Sequence, residues 1–158
     1  MKRVLKIIVV VLFVAFIVVQ FIRPDMTNPP VVPEQTLEAS TQLPENVKTI
    51  LSRSCADCHT NSTVYPWYAQ ISPFSWFLAE HIKDGRRELN FSEWASFENR
   101  RKKRKLEEIC EQVETREMPL PSYLWIHWDA KMSDEEIRIV CDWTKTEINK
   151  LSANAENK

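Results

Sequence analysis

Three residues near the middle of the chain have the types and spacing for covalent attachment of a cofactor. Two cysteines separated by two residues, Cys55 and Cys58, are followed at once by His59. This spacing is the attachment pattern of c-type haem, in which two thiols bond to the porphyrin vinyl groups and the imidazole binds iron. The motif predicts one haem c, with Cys55, Cys58 and His59 binding the cofactor and His59 ligating its iron.

Two other uses of paired cysteines are disfavoured. A structural zinc site requires a second pair of ligands at metal-site spacing, which Cys110, Cys141, His81 and His127 do not provide. A thioredoxin-like redox pair requires a βαβ setting, whereas this sequence predicts helices. Haem attachment is therefore the favoured interpretation.

Met118 is the predicted second axial ligand of the iron. It lies in a proline-containing loop between two predicted helices, where a thioether can be held toward iron without competing for a place in the core. The alternatives are His81 and His127. His81 lies on an apolar helical face with Phe74 and Phe77, which is expected to face the core, and a histidine there is more often a core residue with one hydrogen bond.

The scarcity of glycine predicts a mostly helical fold. Gly85 is the single glycine of the chain, and a fold with many tight hairpins would need more. Periodicity and capping patterns predict four helices. The first runs from about residue 44 to the cysteine motif, and the second from 74 to 83 with Gly85 as the stop. The third runs from 93 to about 116 with Ser92 as the cap, and the fourth starts from a capping box at 133–136.

Cys110 and Cys141 fall on the inward faces of the last two predicted helices. In an oxidising compartment such a pair can form a disulfide, and we predict one here, with two buried thiols as the alternative. The tryptophans are expected to pack mostly in the core and around the haem. They are Trp67, Trp76, Trp94, Trp125, Trp128 and Trp143.

The N-terminal segment is strongly apolar. Residues 4–22 would form about 28 Å of helix, close to the thickness of the bilayer hydrocarbon, and Lys2 and Arg3 precede them. This pattern predicts a single transmembrane helix with a cytoplasmic N-terminus, in the inner membrane, and a soluble domain facing the periplasm or cell exterior. A cleaved signal peptide is disfavoured, because the small-residue cleavage pattern is missing.

The predicted organisation has four parts. Residues 1–23 form the membrane anchor, 24–43 a proline-rich linker, 44–152 the haem-binding domain and 153–158 a tail. A polar, proline-rich segment stays extended and builds no core, so the linker is expected to act as a tether.

Charge gives two further expectations. The formal net charge of −1 lacks the basic excess of nucleic-acid binders, so no nucleic-acid partner is expected. Six consecutive cationic residues, 100–105, are expected to form a solvated helical stretch. A docking patch for an acidic redox partner or for anionic lipid headgroups is the other interpretation.

The sequence resembles the bacterial haem-binding domain family of small c-type cytochromes over about residues 43–143. The matching stretches are Cys55-Ala-Asp-Cys58-His59, Tyr65-Pro-Trp-Tyr68, Gly85-Arg86, Leu89-Asn-Phe-Ser-Glu-Trp94, and Met118-Pro119 followed by Tyr123. The resemblance implies a helical cytochrome-c-like fold, haem bound through the cysteine motif, and Met118 as the second axial ligand. It implies no substrate.

These observations favour an electron carrier that catalyses no reaction of its own. The expected partners are membrane-bound or periplasmic redox proteins, a haem maturation system, and the lipid bilayer through residues 4–22. One alternative is a haem-based sensor or peroxidase-like protein with an open or weakly held sixth iron site. Another is a structural membrane protein without haem, with a Cys110–Cys141 disulfide.

Overall fold

A computed structural model describes the chain from residue 1 to residue 156, and every regular element in that part is a helix. The α-helices are α1 (Lys2–Val19), α2 (Leu37–Ser40), α3 (Glu45–Ser54), α4 (Ala56–His59), α5 (Phe74–Glu88), α6 (Asn99–Glu114) and α7 (Asp134–Glu156). Short 3₁₀ helices lie between them at Pro33–Gln35, Trp67–Gln70, Phe91–Ser96, Tyr123–Trp125 and Trp128–Ala130. Of the predicted tail, residues 153–156 continue α7, and 157–158 lie outside the described residues.

The predicted transmembrane helix at residues 4–22 is not supported. Helix α1 ends at Val19 and includes three cationic side chains, those of Lys2, Arg3 and Lys6. Such side chains are costly inside a bilayer. No helix within the described part of the chain combines the length and the apolar character needed to cross a membrane. The prediction of a single-pass inner-membrane protein is therefore wrong.

The predicted linker, residues 24–43, lies against the helical domain. The Asn28 side chain donates to the Thr63 carbonyl (3.0 Å), and the Asn61 side chain donates to the carbonyl of Pro30 (3.3 Å). Leu37 of α2 is only 3% exposed and belongs to the main hydrophobic core. The segment is therefore part of the folded unit, because Leu37 is buried in the core, Leu43 packs against it, and polar groups of the segment bond to the domain.

The core forms where α3, α6 and α7 pack together. The apolar residues that these helices bury are Val47, Ile50 and Leu51 of α3, Leu106, Ile109 and Val113 of α6, and Ile137, Val140, Cys141 and Trp143 of α7. The predicted capping box is confirmed at the start of α7, where the backbone N–H of Ser133 donates to the Glu136 carboxylate (2.8 Å) and that of Glu136 donates to the Ser133 hydroxyl (3.2 Å). The predicted disulfide between Cys110 and Cys141 is also present, and it links α6 to α7.

Two predicted helix boundaries are wrong. Helix α5 does not stop at Gly85 but continues to Glu88. Helix α6 begins at Asn99, six residues or so after the predicted start, because the Ser92 hydroxyl accepts a hydrogen bond from the backbone N–H of Asn61 (2.9 Å) and caps no α-helix. The apolar residues around Ser92 form a buried 3₁₀ helix instead.

Two predicted packing patterns also need correction. Helix α5 buries Ser75 and Ile82, while Phe74 and Phe77, predicted to face the core, are 58% and 65% exposed. Trp94 and Trp143 are core residues, as expected. Three other tryptophans are mostly exposed: Trp67, Trp125 and Trp128. A residue's hydrophobicity predicts burial only in part, because a small domain has too little interior for every large apolar side chain.

Candidate functional site

The residues predicted to bind haem meet at one cavity. Its volume is 450 Å³, and its walls include Cys55, Cys58, His59 and Met118. Helices α4, α5 and α6 and the loop after α6 enclose it. Cavities of this size are typical of small-molecule and cofactor sites.

One helical turn, α4, positions the two thiols. The backbone N–H groups of Cys58 and His59 both donate to the carbonyl of Cys55, at 3.2 Å and 3.0 Å. This turn presents both half-buried thiols to the cavity. The two cysteines are therefore held on one side of any bound ligand.

Asp57, inside the cysteine motif, fixes this turn to two loops. Its carboxylate accepts one hydrogen bond from the backbone N–H of Val64 (3.1 Å) and another from the Tyr123 hydroxyl (3.0 Å). Burial, together with the Asp57 carboxylate, raises the pKa of Tyr123, so Tyr123 remains a hydrogen-bond donor at neutral pH. Sequence reasoning missed both residues, although Asp57 lies within the motif and Tyr123 within a family-like stretch.

Arg86 holds the segment that follows the motif. Its guanidinium donates to the carbonyl of Thr60 (2.8 Å), the hydroxyl of Thr63 (2.9 Å) and the side-chain oxygen of Asn28 (2.7 Å). One arginine thereby joins α5, the loop after α4 and the N-terminal segment. Charged hydrogen bonds of this kind fix geometry more firmly than neutral ones.

Gly85 allows α5 to lie directly against α4. A Cβ atom at this position would be 2.7 Å from the backbone oxygen of Cys58 and 3.2 Å from its backbone carbon. The single glycine of the chain therefore serves helix packing at the cysteine motif. Its φ is not positive, and it does not end the helix.

His59 has the hydrogen bonding expected of an iron ligand. Its Nδ1 lies 2.9 Å from the carbonyl oxygen of Leu89, and since a carbonyl only accepts, Nδ1 must be the donor. The other ring nitrogen, Nε2, then keeps a free lone pair. Burial lowers the pKa of His59, so the ring is neutral at pH 7. A neutral imidazole oriented by a backbone carbonyl is the usual form of a metal-binding histidine.

Two sets of hydrogen bonds hold the loop after α6 that carries Met118, one made by the backbone of Met118 and one by the side chain of Arg116. The backbone N–H of Met118 donates to the carbonyl of Gln112 (3.0 Å). Just before it, Arg116 has a left-handed backbone conformation (φ 62°), as is common at helix C-termini. The Arg116 guanidinium donates to the Met132 carbonyl (2.8 Å) and pairs with the Asp134 carboxylate. These contacts hold Met118 at the edge of the cavity.

The structure separates the two histidine alternatives for the second axial position. His81 lines the same cavity as Met118. His127 is absent from the cavity wall: its Nε2 lies 2.8 Å from the Tyr68 hydroxyl, and its ring stacks on Tyr123 with centroids 4.2 Å apart. His127 therefore supports the aromatic cluster beside the site, and His81 is the histidine placed to compete with Met118.

The Cys55 and Cys58 thiols are less acidic than the thiols of redox-active cysteine pairs. Burial raises the pKa of Cys55 to about 12 and that of Cys58 to about 11. Reactive Cys-x-x-Cys pairs have a lowered thiol pKa, so a thioredoxin-like role is disfavoured. Within the described part of the chain, one set of three side chains of metal-ligating type lies close together: Cys110, Glu114 and Cys141. Its two cysteines are joined by the disulfide and therefore offer no free thiol to a metal ion.

A family comparison decides the class of cofactor. Residues 14–146 match the family model of the haem-binding domain. The chain belongs to the haem-binding domain family. The predicted family and a haem cofactor are thereby confirmed, while the attachment chemistry and the ligand residues stay predictions. No curated protein and no solved structure matches this haem-binding domain protein.

The cavity of this haem-binding domain protein fits a haem in its chemistry. Apolar side chains line much of it, including Phe91, Ile109, Val113 and Leu120. A porphyrin is a large apolar ring that must be shielded from water, and its iron needs a donor atom with a free lone pair. Both requirements are met here, the second by His59 Nε2.

The raised thiol pKa values predict how the haem-free protein responds to pH. Because Cys55 and Cys58 bind their protons more tightly when folded than at the ordinary value of 9.0, folding is favoured by this term below pH 9.0. The term is lost as pH rises through 9 toward the folded values. We expect urea midpoints of haem-free protein to fall between pH 8 and pH 11, and to fall less in a Cys55→Ser/Cys58→Ser variant. An equal fall of the urea midpoint in both proteins would contradict the raised pKa values of the two thiols.

Proposed function

We propose that this haem-binding domain protein is a c-type cytochrome that carries single electrons through one covalently held haem. The proposal rests on one observation: two thiols, one neutral imidazole and one thioether converge on a single cavity within a haem-binding domain. Haem iron supplies reversible one-electron chemistry between its ferrous and ferric states. In this proposal the protein catalyses no reaction itself.

The two cysteines would retain the cofactor. Each thiol would hold the haem through a thioether bond, formed by addition of its S–H across one vinyl group, with the sulfur on one vinyl carbon, the hydrogen atom on the other, and no leaving group. The thiols of Cys55 and Cys58 are protonated at neutral pH and need no oxidation for this step. A haem maturation system is the expected partner, because it would deliver reduced haem to the thiols.

His59 and Met118 would complete the iron coordination. His59 is oriented by its hydrogen bond to Leu89, which fixes the free nitrogen. Met118 is oriented by its backbone bond to Gln112. Two strong axial ligands favour low-spin iron, which changes little in structure between oxidation states and therefore suits electron transfer.

A haem-based sensor or peroxidase-like protein is the second candidate. The observation that favours it is His81, an exposed acid–base side chain on the wall of the same cavity. If Met118 does not bind iron, His81 is placed to act on a small ligand at an open sixth site. The two candidates differ in the state of that site.

A set of variants of the full chain, produced with a haem maturation system, tests the proposal. Wild-type protein should retain haem through denaturing electrophoresis, and Cys55→Ala should lose one thioether bond, seen as a shift of the pyridine haemochrome band. Met118→Ala should keep covalent haem, lose its low-spin spectrum and bind carbon monoxide rapidly when reduced. His81→Ala should keep the low-spin spectrum.

Met26 provides a matched control, because it is a methionine outside the cavity wall. Met26→Ala should leave the spectrum unchanged. Rapid carbon monoxide binding by the wild-type protein, with no effect of Met118→Ala, would support the sensor or peroxidase-like candidate. Loss of the low-spin spectrum in His81→Ala alone would give the second axial position to histidine.

A further inference from the structure

One lysine of the basic run 100–105 does not lie in solvent. Lys105 is 7% exposed and forms part of the wall of the haem cavity. Lysine is rarely buried unless its ammonium is paired. The prediction of a solvated stretch is therefore wrong for this residue, since α6 buries it together with Leu106, Ile109 and Val113.

The ammonium of Lys105 has two carboxylate neighbours at the cavity. Its Nζ lies 2.5 Å from a carboxylate oxygen of Glu108 and 3.9 Å from one of Glu88. The Glu88 and Glu108 side chains are 65% and 41% exposed, while the lysine side chain is 9% exposed. The two carboxylates are therefore well hydrated without the lysine, and the lysine is the partner that lacks water.

Apart from Lys105, the charged side chains of the otherwise largely apolar cavity wall are acidic. Four carboxylate residues line it, namely Asp57, Asp84, Glu88 and Glu108. Lys105 is the one lysine or arginine on this wall within the described part of the chain. Any ligand carboxylate that enters the cavity is repelled by the four carboxylates and attracted by Lys105.

Haem carries two propionate carboxylates, and Lys105 is the cationic side chain on the cavity wall that could pair with one of them. We propose that Lys105 binds a haem propionate and makes the site prefer porphyrins with free carboxylates. The proposal rests on the haem lying in this cavity, as the proposed function has it. A charge-assisted hydrogen bond from a shielded ammonium is stronger than one from a solvated lysine. Glu88 and Glu108 would then hold the ammonium in place from its hydrated side.

The test compares free and esterified porphyrin in full-length protein with Cys55→Ala and Cys58→Ala, which separates binding from covalent attachment. Soret titrations give the affinity for hemin and for hemin dimethyl ester, which lacks the propionate charges. We expect the parent to prefer hemin at least about tenfold, in the range of a charged hydrogen bond. Lys105→Met should reduce this preference to less than about threefold. Lys103→Met, two residues away and absent from the cavity wall, should keep it.

A second measurement uses the covalent holoprotein and its reduction potential. Lys105→Met should lower the potential, because an unpaired propionate beside Glu88 and Glu108 stabilises the ferric iron, and Lys103→Met should leave it unchanged. An undiminished preference for hemin in Lys105→Met, or an unchanged potential, would overturn the proposal. Failure of the proposed function would be seen separately, as wild-type protein without covalent haem, and would leave the porphyrin preference measurable.

Discussion

Replacing Gly85 with alanine is expected to lower both the stability of the protein and its haem content. The new Cβ would meet the backbone oxygen of Cys58 at 2.7 Å, so α5 and α4 must move apart. Overpacking of this kind costs about 1–3 kcal/mol. The separation also moves the carbonyl of Leu89 away from His59 Nδ1, the hydrogen bond that fixes the imidazole. Haem content should therefore fall several-fold, beyond what the loss of stability explains.

Intrinsic helix propensity makes the Gly85→Ala prediction sharp. In an exposed helix, alanine in place of glycine stabilises by about 1 kcal/mol. A measured loss would thus be opposite in sign to the expectation for a helix without contacts. Urea unfolding and haemochrome yield measure the two effects. Lys83→Ala, at an exposed position of the same helix, is the control and should change neither. Gly85→Ala with wild-type stability and haem content would contradict the packing argument.

The residues that meet at the cavity could be predicted from the sequence because the information is local. The spacing of Cys55, Cys58 and His59 allows few chemistries, and a methionine in a proline-containing loop is an independent candidate near it. Local patterns also predicted the capping box at 133–136 and the inward positions of Cys110 and Cys141. In each case the deciding contacts lie within a few residues, or depend on one helical face.

The supporting residues were not predictable, because their roles depend on approach between distant segments. Gly85 has the sequence appearance of a helix stop, and only the contact with Cys58 shows why it is small. Lys105 belongs to a run that composition alone places in solvent. Ser92 is a good cap by type, but its hydroxyl is used by Asn61, which lies 31 residues earlier. Tertiary contacts overrule local preference in all three.

The N-terminal expectation failed for a related reason. The expectation treats residues 4–22 as one apolar run, with Lys6 inside it and Lys2 and Arg3 before it. In the structure the helix takes in Lys2, Arg3 and Lys6 and stops at Val19, so the apolar run and the helix do not coincide. The side chain of Gln20 then bonds to both the backbone N–H and the carbonyl of Ser72, at 2.9 Å and 3.0 Å.

Removal of the Cys110–Cys141 disulfide is the second change with a large expected effect. The two cysteines are 31 residues apart in sequence, and their Cα atoms are 4.8 Å apart in the fold. Closing a loop of this length restricts the unfolded chain by about 3–4 kcal/mol in the loop-entropy treatment. The Cys110→Ser/Cys141→Ser variant should therefore lose about that much unfolding free energy, measured by urea titration of the holoprotein.

Reduction of the wild-type protein supplies the control. A phosphine reductant should lower the wild-type urea midpoint to nearly that of the variant, and it should leave the variant unchanged. A midpoint that differs little between oxidised wild type and variant would show that core packing of α6 on α7 is sufficient without the bond.

The disulfide also bears on the site, because α6 contributes Ile109, Gln112 and Val113 to the cavity wall and holds Met118 through the Gln112 carbonyl. If the bond restrains α6, its removal should weaken methionine ligation before it unfolds the protein. The spectrum of the variant, warmed to just below its unfolding transition, should then lose low-spin character while the haem stays covalently attached. Loss of low-spin character only together with global unfolding would assign the disulfide a role in stability alone.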